Sequence, residues 1–291
     1  MVNESTNNTA IFAHYDKDCI IDDYVLFYLK ELKNVADRII FVSDCELDEE
    51  QISKLKGIVD YTLAQKHGEY DFGSYKRGIQ LAMENGLYEN TDNLILLNDS
   101  CYGPFGSLKN LFEEMNTKDC DFWGFASNEN RYGDSLFEVS EAENMHVQSY
   151  FVVLKKQVLH SNAFKDFILS VKKESTKKDI IFNYEMGLTA VLCKEGFKYC
   201  AKYNHDIFKY NMIDLFKPKV KEPCLLFKRY CLLWIYFPFI LSFWFNKIRK
   251  NTQYPVEAIV ADLKRHRKFS AFKHRFKKIS SRPVFWMGLV T

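Results

Sequence analysis

The chain has 291 residues, 47% hydrophobic, 16% aromatic and 27% charged, with only twelve glycines and six prolines. That composition excludes disordered, low-complexity and fibrous classes and leaves a globular protein, long enough for one large domain or for a domain plus an accessory segment. The net charge of +2 hides a division: residues 1–212 carry 23 Lys and Arg against 34 Asp and Glu, whereas 213–291 carry 17 against 4, an acidic body followed by a tail suited to an anionic partner such as phosphate-bearing lipid or nucleic acid.

From Ala10 to Tyr203 the apolar pattern alternates between strand and helix spacing. Residues 10–15 predict a strand, and Tyr24, Val25, Tyr28, Leu29 and Leu32 recur at helical spacing within 22–32. A strand at 38–42, a short helix at 48–55 and a weak strand at 61–64 follow, then a helix over 74–85 closed by Gly86. Residues 93–97 (N-L-I-L-L) form the clearest buried strand. After Gly103 and Pro104 come a helix at 108–115 and a strand at 121–126; the polar stretch 127–144 reads as a long loop of the kind that binds ligands or covers them. A strand at 147–154 and helices near 164–172 and 184–194 complete the body. Strands alternating with helices of this size predict an α/β domain with a mostly parallel sheet.

Eight cysteines, at 19, 45, 101, 120, 193, 200, 224 and 231, include no C-x-x-C pair and no His spacing of a zinc site. They fit a reducing cytosol, and the polar residues 1–10 lead us to expect no secretory signal.

In open α/β sheets ligands bind outside the carboxyl ends of the strands. The residues following the predicted strands are polar: His14, Asp16 and Asp18 after the first, Ser43 and Asp44 after the second, Asn98, Asp99 and Ser100 after the central one. Each group by itself also reads as ordinary turn chemistry. The stretch Y-D-F-G-S-Y-K-R-G (70–78) sets Asp71 and Gly73 at a helix start with Lys76 and Arg77 in its first turn, against the helix dipole. Such cations imply a compensating anion, and with free backbone N–H groups they suit a diphosphate; the alternative is a capped helix with a solvated basic face. The carboxylate of Asp99 can bind Mg²⁺ or Mn²⁺, with water and substrate oxygens completing the shell.

Six ordered blocks, H-Y-D-K-D (14–18), Y-D-F-G-S-Y-K-R-G (70–78), L-L-N-D-S-C-Y-G-P (96–104), C-D-F-W-G (120–124), H-V-Q-S-Y-F (146–151) and Y-E-M-G-L-T (184–189), resemble the rhamnan-synthesis F family of glycosyltransferases over roughly residues 10–212. The resemblance implies a GT-A-like nucleotide-sugar-binding domain that transfers a sugar, typically rhamnose from a dTDP-activated donor, to a growing, lipid-linked cell-envelope polysaccharide at the cytoplasmic membrane face. Carried over by position, Asn98, Asp99 and Ser100 stand where the family has its D-x-D metal and diphosphate motif, here reduced to one carboxylate. His14, Asp16 and Asp18 would then lie near the donor base and ribose, with Lys76 and Arg77 supplying positive charge. Glu185 matches the place of the general base of an inverting transfer, with Asp121 as second choice; its other reading is an ordinary first-turn Glu. Tyr102 and Trp123 would stack on a sugar ring, and His146 and Gln148 would hydrogen-bond the acceptor or a metal; for these four, structural use is an equal alternative.

Residues 213–291 read as a basic, helical membrane-associating tail behind a catalytic domain of 1–212. The run Tyr230–Phe245 is sixteen residues, shorter than the roughly 20 that span a bilayer, and Pro238 interrupts it. Its aromatic content and basic flanks suit the headgroup interface, and the competing reading is a helical hairpin packed on the body. Phe269, Phe272, Phe276 and Ile279, spaced three, four and three apart among basic residues, predict a basic amphipathic helix attracted to anionic lipid. Nucleic acid is the rival partner for such charge, but no helix-turn-helix, zinc or RNP-like motif supports it. The expectation is a cytoplasmic enzyme peripheral on the inner face of the membrane; the alternative is a non-catalytic scaffold of a polysaccharide-assembly complex.

Overall fold

The structure, a computed structural model, describes residues 6–129, 145–203, 225–233 and 238–266. Strand β1 (Asn8–His14) is buried along its whole length, as a strand covered on both faces must be. It pairs in parallel with β2 (Arg38–Ser43) and β4 (Asn93–Asn98), and β2 pairs in parallel with β3 (Tyr61–Ala64). The order β3-β2-β1-β4 continues through β8 (Phe151–Lys155) and β6 (Phe122–Glu129) to β7 (Met145–Val147), with β9 (Tyr199–Tyr203) also on β6; β5 (Cys101–Tyr102) lies outside this sheet, and the short helix α2 (Glu49–Ser53) joins β2 to β3. β8 is antiparallel to both neighbours, which restores β6 to the direction of β4. The result is the α/β fold with a mostly parallel sheet predicted from the pattern of elements.

Period-two alternation divides the strands between two apolar layers. Ala10, Phe12, Ile95 and Leu97 face one layer with α1 (Asp23–Leu32) and α4 (Leu108–Asn116). Ile11, Ala13, Leu94 and Leu96 face the other, with α3 (Tyr70–Glu84) and the helices Asn162–Leu169 and Gly187–Lys194. Helix α3 lies so close to β1 that a Cβ on Gly78 would meet Ile11 Cγ2 at 2.5 Å.

Four local readings change. Helix α3 begins at Tyr70 rather than residue 74, so Lys76 and Arg77 fall beyond its first turn. The strand starting near 121 runs on to Glu129, residues 130–144 of the expected loop lie outside the described residues, and the predicted strand 147–154 is divided between β7 and β8. Residues 181–186 form a π-helical turn before the Gly187–Lys194 helix.

The tail differs most. Phe227–Lys228 pairs antiparallel with Cys101–Tyr102, and Leu226, Phe227, Leu232, Trp244, Ile248, Val256 and Ile259 are buried in the same layer as Tyr24, Tyr102 and Phe105. Trp244, which the sequence suggested for the headgroup interface, meets Phe105 edge-on at 5.7 Å between centroids. It also lies 5.1 Å from the Phe227 ring, whereas Phe243 of the same helix (Pro238–Asn251) is 51% exposed. No helix of the described residues is long and apolar enough to cross a membrane. The predicted amphipathic helix at 269–279 lies outside the described residues.

Candidate functional site

The carboxyl ends of β1, β2 and β4 bring His14, Ser43 and Asn98 side by side. Since β8 is antiparallel to β4, with Leu97 opposite Phe151, residues 148–150 join the same end. The start of α3 also arrives there: Asn98 Nδ2 donates to Asp71 Oδ2 at 2.7 Å. Asn98 turns its other amide atom back, accepting from Ser100 N at 3.1 Å and Ser100 Oγ at 2.6 Å. Asp99 is 8% exposed and accepts from the Tyr15 amide at 3.1 Å.

Glu185 reaches this edge from the π-helical turn, a distortion often found at functional sites, and accepts from the Ser149 amide at 3.3 Å. Burial, followed by the negative charges of Asp99 and Glu185, pushes the Asp71 carboxyl up to about 7. Burial pushes Asp99 up to about 6 against the opposing field of Arg229. Carboxylate oxygens are the ligand type that Mg²⁺ or Mn²⁺ takes, and burial of like charges near one another is what raises the two carboxyls. His146 is 6% exposed, with its pKa lowered by burial against the opposing charge of Glu185. Gln148 is half-buried beside β6, its amide bonded to the Ala126 carbonyl at 2.8 Å.

The Asp71 carboxyl, raised from 3.8 to about 7, holds its proton better folded than unfolded; the stability this contributes is full below pH 4 and is lost as pH rises through about 7. With chelator present, Asp71→Asn is therefore expected to stabilise the protein more at pH 8 than at pH 5, by on the order of 2 kcal/mol. Thermal melts of both proteins at both pH values check this, and an equal gain at the two pH values would refute it.

Several residues singled out in the sequence lie elsewhere or are already engaged. Arg77 donates to Glu69 at 2.8 and 3.2 Å, Lys76 pairs with the same carboxylate at 2.9 Å, and Lys76 also bonds the Val171 carbonyl. The anion those cations implied is thus Glu69, held down at about 2 chiefly by Arg77. Gly73 allows the arrangement, since a Cβ there would collide with Glu69 Cβ; it packs against a side chain rather than facing a phosphate. Trp123 and Tyr102 are 0% exposed. Trp123 packs on Phe112 at 5.1 Å and Phe151 at 5.8 Å, and the Tyr102 hydroxyl bonds Asp262, so neither ring is free to stack on a sugar. Asp121 precedes β6 at the opposite end of the sheet, where it accepts from the Lys198 amide at 2.7 Å.

His14 is 2% exposed, bonded through Nδ1 to Ser43 Oγ at 2.9 Å, with Nε2 3.9 Å from Asp99 Oδ2. Burial pulls its pKa down to about 4, so it stands neutral behind Asp99 instead of touching a donor. Asp16 is buried too, accepting from the amides of Asp18 at 2.9 Å and Ile20 at 3.3 Å and from Arg265 at 2.6 Å. Burial pushes its carboxyl up, but Arg265 and these amides outweigh it and hold it low. Asp18 remains exposed, between Lys17 and Arg265.

Sequence reasoning missed Arg229, Asp262, Arg265 and Tyr24. The helix Val256–His266 carries its apolar stripe at Val256, Ile259 and Leu263, and Asp262 falls on that same face. A charged residue at such a position was the available signal, because a buried carboxylate demands a partner. Asp16, Asp22 and His266 have ligand atoms within 4.8 Å of one another, but Arg265 donates to both carboxylates and takes the place of a cation.

The family profile described as Rhamnan synthesis protein F matches residues 39–279. Among curated relatives, the uncharacterized protein y4gN of Sinorhizobium fredii (strain NBRC 101917 / NGR234) is 24% identical over 202 residues, 69% of this chain and 50% of that one. Virulence protein VirA of Vibrio anguillarum (strain ATCC 68554 / 775) is 27% identical over 216 residues, 72% and 64% respectively. The chain thus spans between half and just under two thirds of the length of these relatives. Among solved structures, the 4-diphosphocytidyl-2C-methyl-D-erythritol synthase of Anaerococcus prevotii DSM 20548 is 12% identical with a TM-score of 0.41, over 69% of this chain and 89% of that one. Core-mannan synthase A of Aspergillus fumigatus, in an Mn/GDP form, is 9% identical with a TM-score of 0.37, over 70% and 74%.

Proposed function

The chain belongs to the rhamnan synthesis protein F family, and on that premise we propose that it is a glycosyltransferase moving a sugar from a nucleotide-diphosphate donor to a growing polysaccharide. The observation that carries this reading is the convergence of Asp71, Asp99 and Glu185 at the carboxyl ends of the strands. Following the family, the donor is dTDP-rhamnose, the acceptor is a lipid-linked glycan, and the protein works on the anionic inner face of the membrane, with no role for nucleic acid.

In the proposed single displacement the acceptor hydroxyl gives its proton to Glu185 as its oxygen attacks the anomeric carbon. The bond from that carbon to the diphosphate oxygen breaks on the opposite face, and the nucleoside diphosphate leaves with the electron pair. Asp99, with Asp71 near it and held by the Asn98 amide, would hold a divalent cation, which supplies charge to the diphosphate oxygens when bound. The carboxylates would otherwise repel the donor, and Lys76 and Arg77 are already neutralised by Glu69. That neutralisation and the single carboxylate of Asn98-Asp99-Ser100 favour the second reading, a non-catalytic scaffold of a polysaccharide-assembly complex that keeps the fold.

A panel of nucleotide sugars, including dTDP-rhamnose and the common UDP and GDP sugars, separates the two readings when scored by thermal shift and donor hydrolysis with Mn²⁺. The enzyme reading expects one donor class to stabilise the protein by about 2–4 kcal/mol at 100- to 1,000-fold excess over its Kd, with the effect lost in Asp99→Ala. Folded protein that neither shifts nor hydrolyses any donor, with acceptor lipid present, would make the scaffold the better reading.

A further inference from the structure

We propose that Arg229, from the C-terminal segment, is the positioning residue for the Asn98–Asp99–Ser100 turn, so that this segment completes the donor site. The inference rests on the glycosyltransferase reading for its meaning in catalysis, but not for its geometry.

Two contacts place Arg229 on the turn, and a third anchors its guanidinium. Its backbone amide donates to the Ser100 carbonyl at 2.8 Å, its Nη1 to the Asp99 carbonyl at 3.4 Å, and its Nη2 to Asp262 Oδ1 at 2.6 Å. Just before it, Phe227–Lys228 pairs with Cys101–Tyr102, the residues that continue the turn. The guanidinium lies 4.6 Å from the Tyr24 ring centroid, and the Tyr24 hydroxyl donates to the same Asp99 carbonyl at 3.1 Å. Asp262 is 0% exposed and also receives the Tyr102 hydroxyl.

The turn therefore has few backbone groups left to move. It is held on one side by β1, whose Ala13 carbonyl accepts from the Asp99 amide at 3.3 Å, with the following Tyr15 amide on the Asp99 carboxylate, and on the other by Arg229. A planar guanidinium bonds a carbonyl and a carboxylate in a fixed, pre-organised fork while stacking flat on an aromatic face, a geometry the point-like ammonium group does not hold. Catalytic carboxylates must be held within about 0.5 Å of productive geometry by such supports. The need is greater here, because with Lys76 and Arg77 engaged elsewhere the site depends on where Asp99 and Asp71 stand.

The test uses the full chain with Arg229→Met and Arg229→Lys, read by hydrogen exchange of a peptide covering 96–104 and by Mn²⁺-dependent affinity for nucleoside diphosphate. Exchange in that peptide is expected to quicken at least about tenfold in Arg229→Met, the equivalent of about 1.4 kcal/mol of lost protection, while β1 to β3 keep parental protection. Affinity is expected to fall by a similar factor, with Arg229→Lys between the two. Should Arg229→Met fail to fold, Arg229→Lys and Asp262→Asn carry the same comparison. Parental exchange at 96–104 in folded variants would overturn the proposal. Quickened exchange in the variants, with a parent that binds no nucleotide, would uphold the positioning role and remove the glycosyltransferase reading.

Discussion

Glu185→Gln is expected to cut sugar transfer by about 10²- to 10⁴-fold, the usual contribution of a positioned general base, while donor affinity stays nearly unchanged. Gln keeps the volume and can still accept from the Ser149 amide, as Glu185 Oε1 does at 3.3 Å, so the π-helical turn keeps its shape. What it loses is the capacity to take a proton. Removing that charge also relieves Asp71, whose pKa is raised in part by Glu185, so any effect on cation or donor binding through this residue is small and electrostatic. Single-turnover transfer and donor binding measured on the same preparation decide the matter. Equal loss of both would mean that Glu185 belongs to the donor site rather than to the acceptor proton.

Ending the chain at residue 212 is expected to leave it without a native fold. Leu226, Phe227, Leu232, Trp244, Ile248, Val256, Ile259 and Leu263 are buried in the layer that covers Tyr24, Tyr102 and Phe105. Each fully buried side chain of this kind is worth about 1.5–3 kcal/mol, so together they approach or exceed the roughly 5–15 kcal/mol that a whole domain possesses. The deletion would also leave Asp16 and Asp22 without Arg265. A cooperative melt of the 1–212 fragment near the parental temperature would overturn this expectation. Membrane attachment therefore has to be tested in the full chain: replacing Lys273, Arg275, Lys277 and Lys278 by Gln should abolish co-sedimentation with anionic vesicles if the tail docks there, and retained sedimentation would contradict it.

The body of the fold was legible because its signals are local. Apolar runs at 38–42 and 93–97, the helical spacing of Tyr24, Val25, Tyr28 and Leu29, and the polar residues after each strand are properties of neighbours in the chain, and they point to the end of the sheet where the site lies. Asp99 and Glu185 could be named as candidates for the same reason, one at a strand end and one in a block that resembles the family, and their roles in the proposed site await the experiments above.

Side-chain partners were not legible, since they depend on distance across the fold. Lys76 and Arg77 look like a diphosphate cradle until Glu69 takes both, and that happens only because α3 starts four residues earlier than its apolar pattern suggests and Gly73 lets Glu69 cross. Tyr102 and Trp123 are aromatic residues beside polar blocks, and nothing local separates a ring that stacks on a ligand from one that fills a layer. The tail shows the limit most clearly. Its composition determined that it is basic, aromatic and too short to span a bilayer, while its apolar face would serve a lipid surface or a protein core equally well. The tertiary structure decided between those two for residues 225–266, because their apolar side chains pack into one layer with Tyr24, Tyr102 and Phe105, and in doing so the segment carried Arg229 to the Asp99 turn.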